Sequence, residues 1–451
     1  MHITATLRLA LPLVAGQLAV IGQNVVDMIL AGHRGAHVLG AVAVGTNLWG
    51  LAIMTMVGCM MSVPPSVAQL DGAGRRREIG PLFRQSLWLA LALGLVLGVL
   101  VYVAGPMAAV AAGVAPDLIP DVTAFLHAAA WGTPSVSLYL ACRGLSEGLS
   151  QPRPSMFFSI LGLLTQLPVG YVLMYPLGLD AFGAGLAGTI TGWLQLTAFA
   201  VFVRLSPRYR NLGGSLGPRG PDVAALAALL RLGAPMAASV IMEIGLFTGA
   251  SLVIARFGDQ AIAGHQIALS VASVTFMVPL GIAMATTVRV GNAVGRLDPA
   301  GVRGAAHAGV MLALGSQLLG CATMLLFPGI IAGLYTNDAA AIAMATSLLF
   351  LAALFQLSDG LQVVANGALR GLKDTSFPML ITGTAYWIVG MPLGWYLAIA
   401  RDWQARGMWV GLIAGLSVAA VLLAARFEIL SRRRIYQEMT ELRRDPINPI
   451  L

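Results

Sequence analysis

Charge is what this sequence has least of. Of its 451 residues only 10% are Asp, Glu, Lys or Arg, against about 25% in ordinary globular chains. So few charges cannot cover a surface in water. Hydrophobic residues make up 58% and mean hydropathy is +0.82, so the apolar excess must face lipid in a polytopic membrane protein. Lysine is almost missing. Lys373, the single one, is followed by Asp374, so there is no phosphate-binding G-x-x-x-x-G-K-[ST] loop and ATP cannot be the energy source. Cysteine is scarce as well: Cys59, Cys142 and Cys321 are isolated within apolar stretches, which excludes a disulfide framework and a thiolate metal site. No H-E-x-x-H occurs. Any work this chain performs must draw on a gradient.

A spanning helix needs about 20 mainly apolar residues. Twelve such runs fit, near 9–31, 39–66, 84–111, 123–147, 155–178, 183–205, 228–256, 262–289, 304–335, 342–369, 377–400 and 407–428. No soluble domain fits between them. The first run holds Gln17, Gln23, Asn24 and Asp27 and has no small-residue cleavage pattern, so it reads as a retained helix and not a signal peptide. The net charge of +8 sits in short clusters between runs, such as Arg75, Arg76 and Arg77, or Arg432, Arg433 and Arg434. These are topology signals and not a nucleic-acid surface. With both termini in the cytoplasm, only Arg34, Arg256, Arg401 and Arg406 of the 27 Lys and Arg residues fall in outward loops. A missed span would scramble that asymmetry.

The longest polar connection, Ser206 to Arg231, divides the chain almost in half. We therefore expect two lobes of six helices each, residues 1–215 and 216–451. A gapless offset of 223 residues places Pro12 on Pro235, Gly22 on Gly245, Gly35 on Gly258 and Gly58 on Gly281. It also places Gly72 on Gly295, Gly144 on Gly367 and Gly148 on Gly371. An even number of spans per half gives both repeats one orientation, related by an axis along the membrane normal. The fold class is thus all-α and integral to the membrane, with twelve helices in two pseudo-symmetric bundles, a layout suited to alternating access. Abundant glycine, 53 residues, permits close helix approach in such bundles.

Two stretches imitate enzyme motifs. Gly183, Gly185 and Gly188 fit G-x-G-x-x-G, but no strand precedes them and the next acidic residue is Asp222. Gly144, Ser146 and Gly148 fit G-x-S-x-G, which requires a strand-to-helix turn this chain does not offer. Close helix packing accounts for both.

Of the 19 acidic residues, Asp27, Glu243 and Asp359 lie well inside apolar runs. A carboxylate at membrane depth costs roughly 2.5–3.5 kcal/mol, so it faces a cavity and is functional by default. Such a group can hold a proton or a metal cation, and a cationic substrate can displace either. That competition is the simplest antiport mechanism. Gln17, Asn24 and Asp27 share one side of the first run, and Gln356, Asp359, Gln362 and Asn366 form a polar stripe on the tenth. The seventh run has Ser239 and Phe247 one turn either side of Glu243, and the eighth adds Gln266, Ser270 and Ser273. Helix-to-helix hydrogen bonding is the alternative role for the amides and hydroxyls. Pro12 and Pro235 can kink the first and seventh runs; protonation of Asp27 linked to bending of the first run and a static kink are both open. Glu147, four residues after Arg143, reads as a plain i,i+4 ion pair.

With these features the chain resembles the multidrug and toxic compound extrusion (MATE) family, in its NorM-like bacterial branch. The resemblance covers nearly the whole length. Its most specific stretches are Val26–Gly32, Leu39–Gly45 and Ser66–Arg75, then Ala263–Ala268, Thr287–Gly291 and Gly367–Gly371 with Lys373 and Asp374. The resemblance implies antiport in which Na⁺ or H⁺ enters as a cationic or amphipathic drug leaves, with no cofactor and no ATPase subunit. It assigns ion coupling to Glu243 and Asp359 in the C-terminal lobe, which would be the Na⁺ ligands under sodium coupling, and to Asp27 in the N-terminal lobe. Phe247 and Gln266 would line the drug cavity, with Asn24 and Gln356 on the adjoining polar faces.

Two departures from the family pattern stand out. Gln166, Pro168 and Gly170 replace an Asn-x-Pro-x-Asn pattern on the fifth run, which thins the N-terminal polar network. Phe355 stands where some relatives carry Tyr, which weakens a Na⁺ site relative to a proton site; both ions stay open. We expect a monomer in a bacterial inner membrane. A flippase for a lipid-linked precursor would need cavity cations, and a membrane prenyl transferase would need Asp-rich metal motifs. A passive channel is disfavoured by the two-lobe repeat.

Overall fold

The computed structural model describes residues 2–212 and 220–434. In chain order its helices are α1 (His2–Arg34), α2 (Ala36–Met60), α3 (Val63–Gly72), α4 (Arg76–Ala111), α5 (Ile119–Ala130), α6 (Thr133–Gly148), α7 (Pro152–Met174) and α8 (Asp180–Leu205). They continue with α9 (Val223–Ile254), α10 (Asp259–Gly295), α11 (Pro299–Leu326), α12 (Pro328–Gly333), α13 (Ala339–Gly371), α14 (Ser376–Thr384), α15 (Met391–Trp395) and α16 (Gln404–Ile429). No strand occurs among the described residues. Large apolar side chains stay exposed along the helices, as on α4 at Leu95, Val96, Val99, Leu100, Val103 and Met107. Such a face suits hydrocarbon and not water.

Ten helices among the described residues are long and apolar enough to cross a membrane, with α2 and α3 joined as one. Two of the twelve expected runs are not single helices of that kind. The run near 123–147 is broken at Trp131 and Gly132, between α5 and α6. Pro134 lies in the first turn of α6, where its missing N–H ends one helix and starts another. The run near 377–400 alternates α14 and α15 with wider π-type turns over Ala385–Gly390 and Tyr396–Ala400. It packs closely on α16. A Cβ at Gly411 of α16 would fall on the backbone of Gly394, and one at Gly407 would press on Ala398.

Contacts divide the chain into two compact units, one of Ala15–Ala237 and the other of Met1–Val14 with Ala238–Leu451. The expected boundary between residues 215 and 216 lies in the segment 213–219, outside the described residues. Helices α1 and α9 each contribute to both units, and the division falls two residues past Pro12 in one and two past Pro235 in the other. The packing repeats with the sequence offset. Gly58 of α2 meets Ala237 in one unit, and Gly281 of α10 meets Val14 in the other. Gly148 of α6 packs on Val67, and Gly371 of α13 packs on Val290. Arg289 fixes the start of α1 to α10 by donating to the His2 carbonyl at 2.9 Å and to the Thr6 hydroxyl.

In the Ala15–Ala237 unit, Phe158 of α7 stacks on Phe199 of α8 at 4.5 Å amid Tyr139, Leu145 and Val203. The other unit builds its main core around α13, with Leu246, Phe355, Tyr386, Trp409 and Leu412. The enzyme-like glycines are packing devices. Gly144 and Gly148 lie against Val63 and Val67, and Gly185 lies against the Phe125 carbonyl. Ser146, the would-be nucleophile, is hydrogen-bonded to the Tyr209 hydroxyl at 2.9 Å.

Candidate ion- and substrate-binding site

The polar stripe of α13 faces inward: Gln356, Asp359, Gln362 and Asn366 are all buried. It continues one turn further to Arg370, also buried. Glu243 on α9 is partly buried in the same unit. Glu243 and Asp359 act electrostatically on one another. Arg370 acts on Glu243, and the Tyr386 hydroxyl lies within the field of all three. The Arg370 Nε is buried with no hydrogen-bond partner. Gln362 Nε2 donates to the Tyr386 hydroxyl at 3.0 Å, holding the phenol in place. Two carboxylates, a phenol and a guanidinium therefore share one low-dielectric region. There, Arg370 can offset one of the two negative charges, and the other needs a proton or a bound cation.

Tyr386 and Arg370 are the members the sequence reading missed. Phe355 had marked the loss of a hydroxyl, but the π-type segment Ala385–Gly390 brings one from another helix. The available signal was a Tyr near the middle of a mainly apolar run, with the run's other Tyr, Tyr396, close to its end. Arg370 was counted only as a cytoplasmic topology charge.

Gln356 lies elsewhere than a cavity wall. It is fully buried. Its amide donates to the Ala272 carbonyl at 3.4 Å and to the Thr275 hydroxyl, and its carbonyls accept from Gln317 Nε2. It ties α13 to α10 and α11, which is the helix-linking alternative. Phe247 is half-buried one turn after Glu243, with its ring set edge-on to Phe355 at 6.0 Å. Gln266 and Ser273 are exposed on α10, and Ser270 lies 3.2 Å from the Tyr335 hydroxyl.

The Ala15–Ala237 unit carries a separate polar system. Asp27, partly buried on α1, accepts from Gln166 Nε2 of α7 at 2.6 Å. Gln166 thus supplies the donor even without the Asn-x-Pro-x-Asn pattern. At Gly170, a Cβ would strike Leu30. The other members of the α1 stripe diverge. Gln17 accepts from the Arg143 guanidinium at 2.9 Å, Gln23 donates to the Ser159 carbonyl at 3.4 Å, and Asn24 is exposed. Pro12 and Pro235 lie inside α1 and α9. Glu147 is paired with Arg143 at 2.6 Å, and the pair is buried.

No group of three or more His, Cys, Asp and Glu side chains could hold a metal ion among the described residues. The hard oxygens of Glu243, Asp359 and Tyr386 are too few for a divalent cage but suit a proton or a monovalent cation. A helical membrane bundle with such acids buried among its helices is, by class, a membrane transporter.

The chain belongs to the MatE family, which it matches twice, over residues 12–172 and 235–396. The two matches begin 223 residues apart, the same offset as the glycines and prolines. As a member of that family it is a transporter and not an enzyme. It is 47% identical to a probable multidrug resistance protein NorM of Xanthomonas campestris, over 94% of this chain and 93% of that protein. It is 38% identical to the multidrug resistance protein PmpM of Pseudomonas aeruginosa, over 97% and 94%. In fold it matches a MATE crystal structure in the bent conformation with a TM-score of 0.90 at 19% identity, covering 97% of this chain and 96% of that one.

Proposed function

We propose that this chain is a multidrug efflux antiporter of a bacterial inner membrane. It exports organic cations or amphipathic drugs in exchange for H⁺ or Na⁺, acts as a monomer, and keeps both termini in the cytoplasm. The observation that carries the reading is the pairing of Glu243 and Asp359 inside one unit, with Phe247 one turn from Glu243. With Arg370 offsetting one carboxylate of the pair, the other takes up a cation or a proton because a bare negative charge is too costly in low dielectric. An organic cation near the same pair meets that charge and an aromatic ring, and cation–π attraction adds to the Coulomb term. Occupancy by ion and by drug is then mutually exclusive, which is the minimum that exchange requires. Asp27 with Gln166 is a second proton-accepting position, on the helix that contains Pro12. Kinship to proteins named for multidrug resistance supports the substrate class.

A reconstituted transport assay tests the reading. Liposomes holding the purified protein receive ethidium outside and either a pH gradient or a Na⁺ gradient. Uptake driven by one gradient and lost in Asp359→Asn is the expected result. Equal uptake with no gradient would make the protein a passive pore. No uptake under either gradient would remove organic cations from its substrates.

A further inference from the structure

Beside the carboxylates the same unit contains a closed circuit of side chains that ion coupling does not use. His265 on α10 is fully buried in the aromatic core. Trp409 Nε1 lies 3.2 Å from His265 Nδ1. An indole N–H can only donate, so Nδ1 accepts and the ring proton sits on Nε2. That Nε2–H points to Ser251 Oγ at 2.9 Å, and the Ser251 hydroxyl donates in turn to the Phe247 carbonyl at 2.9 Å. All three bonds run in one direction, which fixes the imidazole as a single neutral tautomer. The rings close the circuit on the other side. Trp409 meets His265 edge-on at 5.8 Å and Phe355 at 5.7 Å, and Phe355 meets Phe247 at 6.0 Å.

Two independent routes from His265 therefore end on Phe247. One reaches its backbone through Ser251, and the other reaches its ring through Trp409 and Phe355. We propose that His265, with Ser251 and Trp409, positions the Phe247 ring as a rigid wall and so biases this transporter toward flat aromatic cations. The inference rests on the efflux reading and deepens it, because it names a substrate class and the residues that select it. A fixed ring face rewards a planar cation through stacking and cation–π attraction, both of which fall off with misalignment. A compact tetraalkylammonium ion has no plane to align. For it the charge of the neighbouring carboxylates matters, and the angle of Phe247 does not.

The test is equilibrium binding to the full purified chain in detergent, with ethidium as the planar probe and tetrapropylammonium as its competitor. Ser251→Ala removes one hydroxyl from the circuit, Trp409→Phe keeps a ring and removes the indole donor, and Ser251→Thr restores the hydroxyl. Ethidium binding should weaken roughly three- to tenfold in Ser251→Ala and Trp409→Phe, the scale of one lost buried hydrogen bond. Tetrapropylammonium should change by less than about twofold, and Ser251→Thr should return ethidium to within about twofold of wild type. Unchanged ethidium affinity in both variants would overturn the inference, as would equal weakening of the two probes or failure of the threonine to rescue. Should Trp409→Phe not fold, the serine pair alone decides. Wild-type protein that binds neither probe would overturn the efflux reading along with this one. Wild type that binds and transports both, with variants indistinguishable from it, would overturn this one alone.

Discussion

Removal of Glu147 should destabilise the protein far more than its spacing from Arg143 implies. An exposed i,i+4 pair on a helix contributes about 0.3–0.5 kcal/mol. Here the Arg143 Nε to Glu147 Oε1 distance is 2.6 Å, with side-chain exposures of 10% and 3%. Arg143 also donates to Gln17 of α1 at 2.9 Å. Glu147→Ala leaves a guanidinium in the interior with only its weaker partners. Breaking a buried pair from one side costs about 3–5 kcal/mol, two to more than three powers of ten in the folding equilibrium. Removing both charges leaves no uncompensated ion, so Arg143→Met with Glu147→Leu should fall within about 1–2 kcal/mol of wild type. Chemical unfolding in mixed micelles of Arg143→Met, Glu147→Leu and the double completes the cycle, which should show at least about 2 kcal/mol of coupling. A Glu147→Ala protein within about 0.5 kcal/mol of wild type would refute the reasoning, as would a double equal to the sum of its singles.

Other expectations concern the two polar systems and the packing. Gln166→Leu deprives Asp27 of its 2.6 Å donor and should slow gradient-driven transport about tenfold, the effect of one lost charge-assisted bond, while the protein stays folded; a wild-type rate would demote that bond to packing. Tyr386→Phe keeps the ring and removes the hydroxyl that Gln362 holds, so the coupling ion should bind about fivefold more weakly, measured as the half-saturating ion concentration. An unchanged value would take the phenol out of the ion site. Gly411→Val drives side-chain atoms into the backbone of Gly394, an overpacking cost of about 3 kcal/mol or more that should appear as lost folded protein on gel filtration. Normal yield and melting would show that α16 can move aside.

Much of the architecture was legible because membrane segments announce themselves by apolar length, and charge asymmetry fixes their count. The repeat was legible because the matching glycines sit at real contacts, such as Gly148 on Val67 and Gly371 on Val290. The broken helices were not. A hydropathy run does not register that Gly132 and Pro134 interrupt α5 and α6, or that π-type turns flank Pro392. Nor could apolar runs show that α1 and α9 change units two residues past their prolines. Within the site, the acids stood out because charge is rare there. Tyr386 and Arg370 were hidden for opposite reasons: a phenol passes as apolar, and an arginine near a helix end passes as a topology signal. The stripe on α13 was correct as a periodicity, but helical spacing cannot tell an amide that faces a cavity from one bonded to the next helix. Gln356, tied to Gln317 and Thr275, is of the second kind.

The central claim is exchange, and exchange runs in both directions. The most direct measurement starts from liposomes loaded with ethidium, with no ion gradient imposed, and follows the internal pH and Na⁺ as the dye leaves. The account predicts that one of the two ions moves inward in step with dye efflux, and that Asp359→Asn and Glu243→Gln each abolish both fluxes. Dye efflux with neither ion moving, or ion entry that persists in both variants, would contradict it.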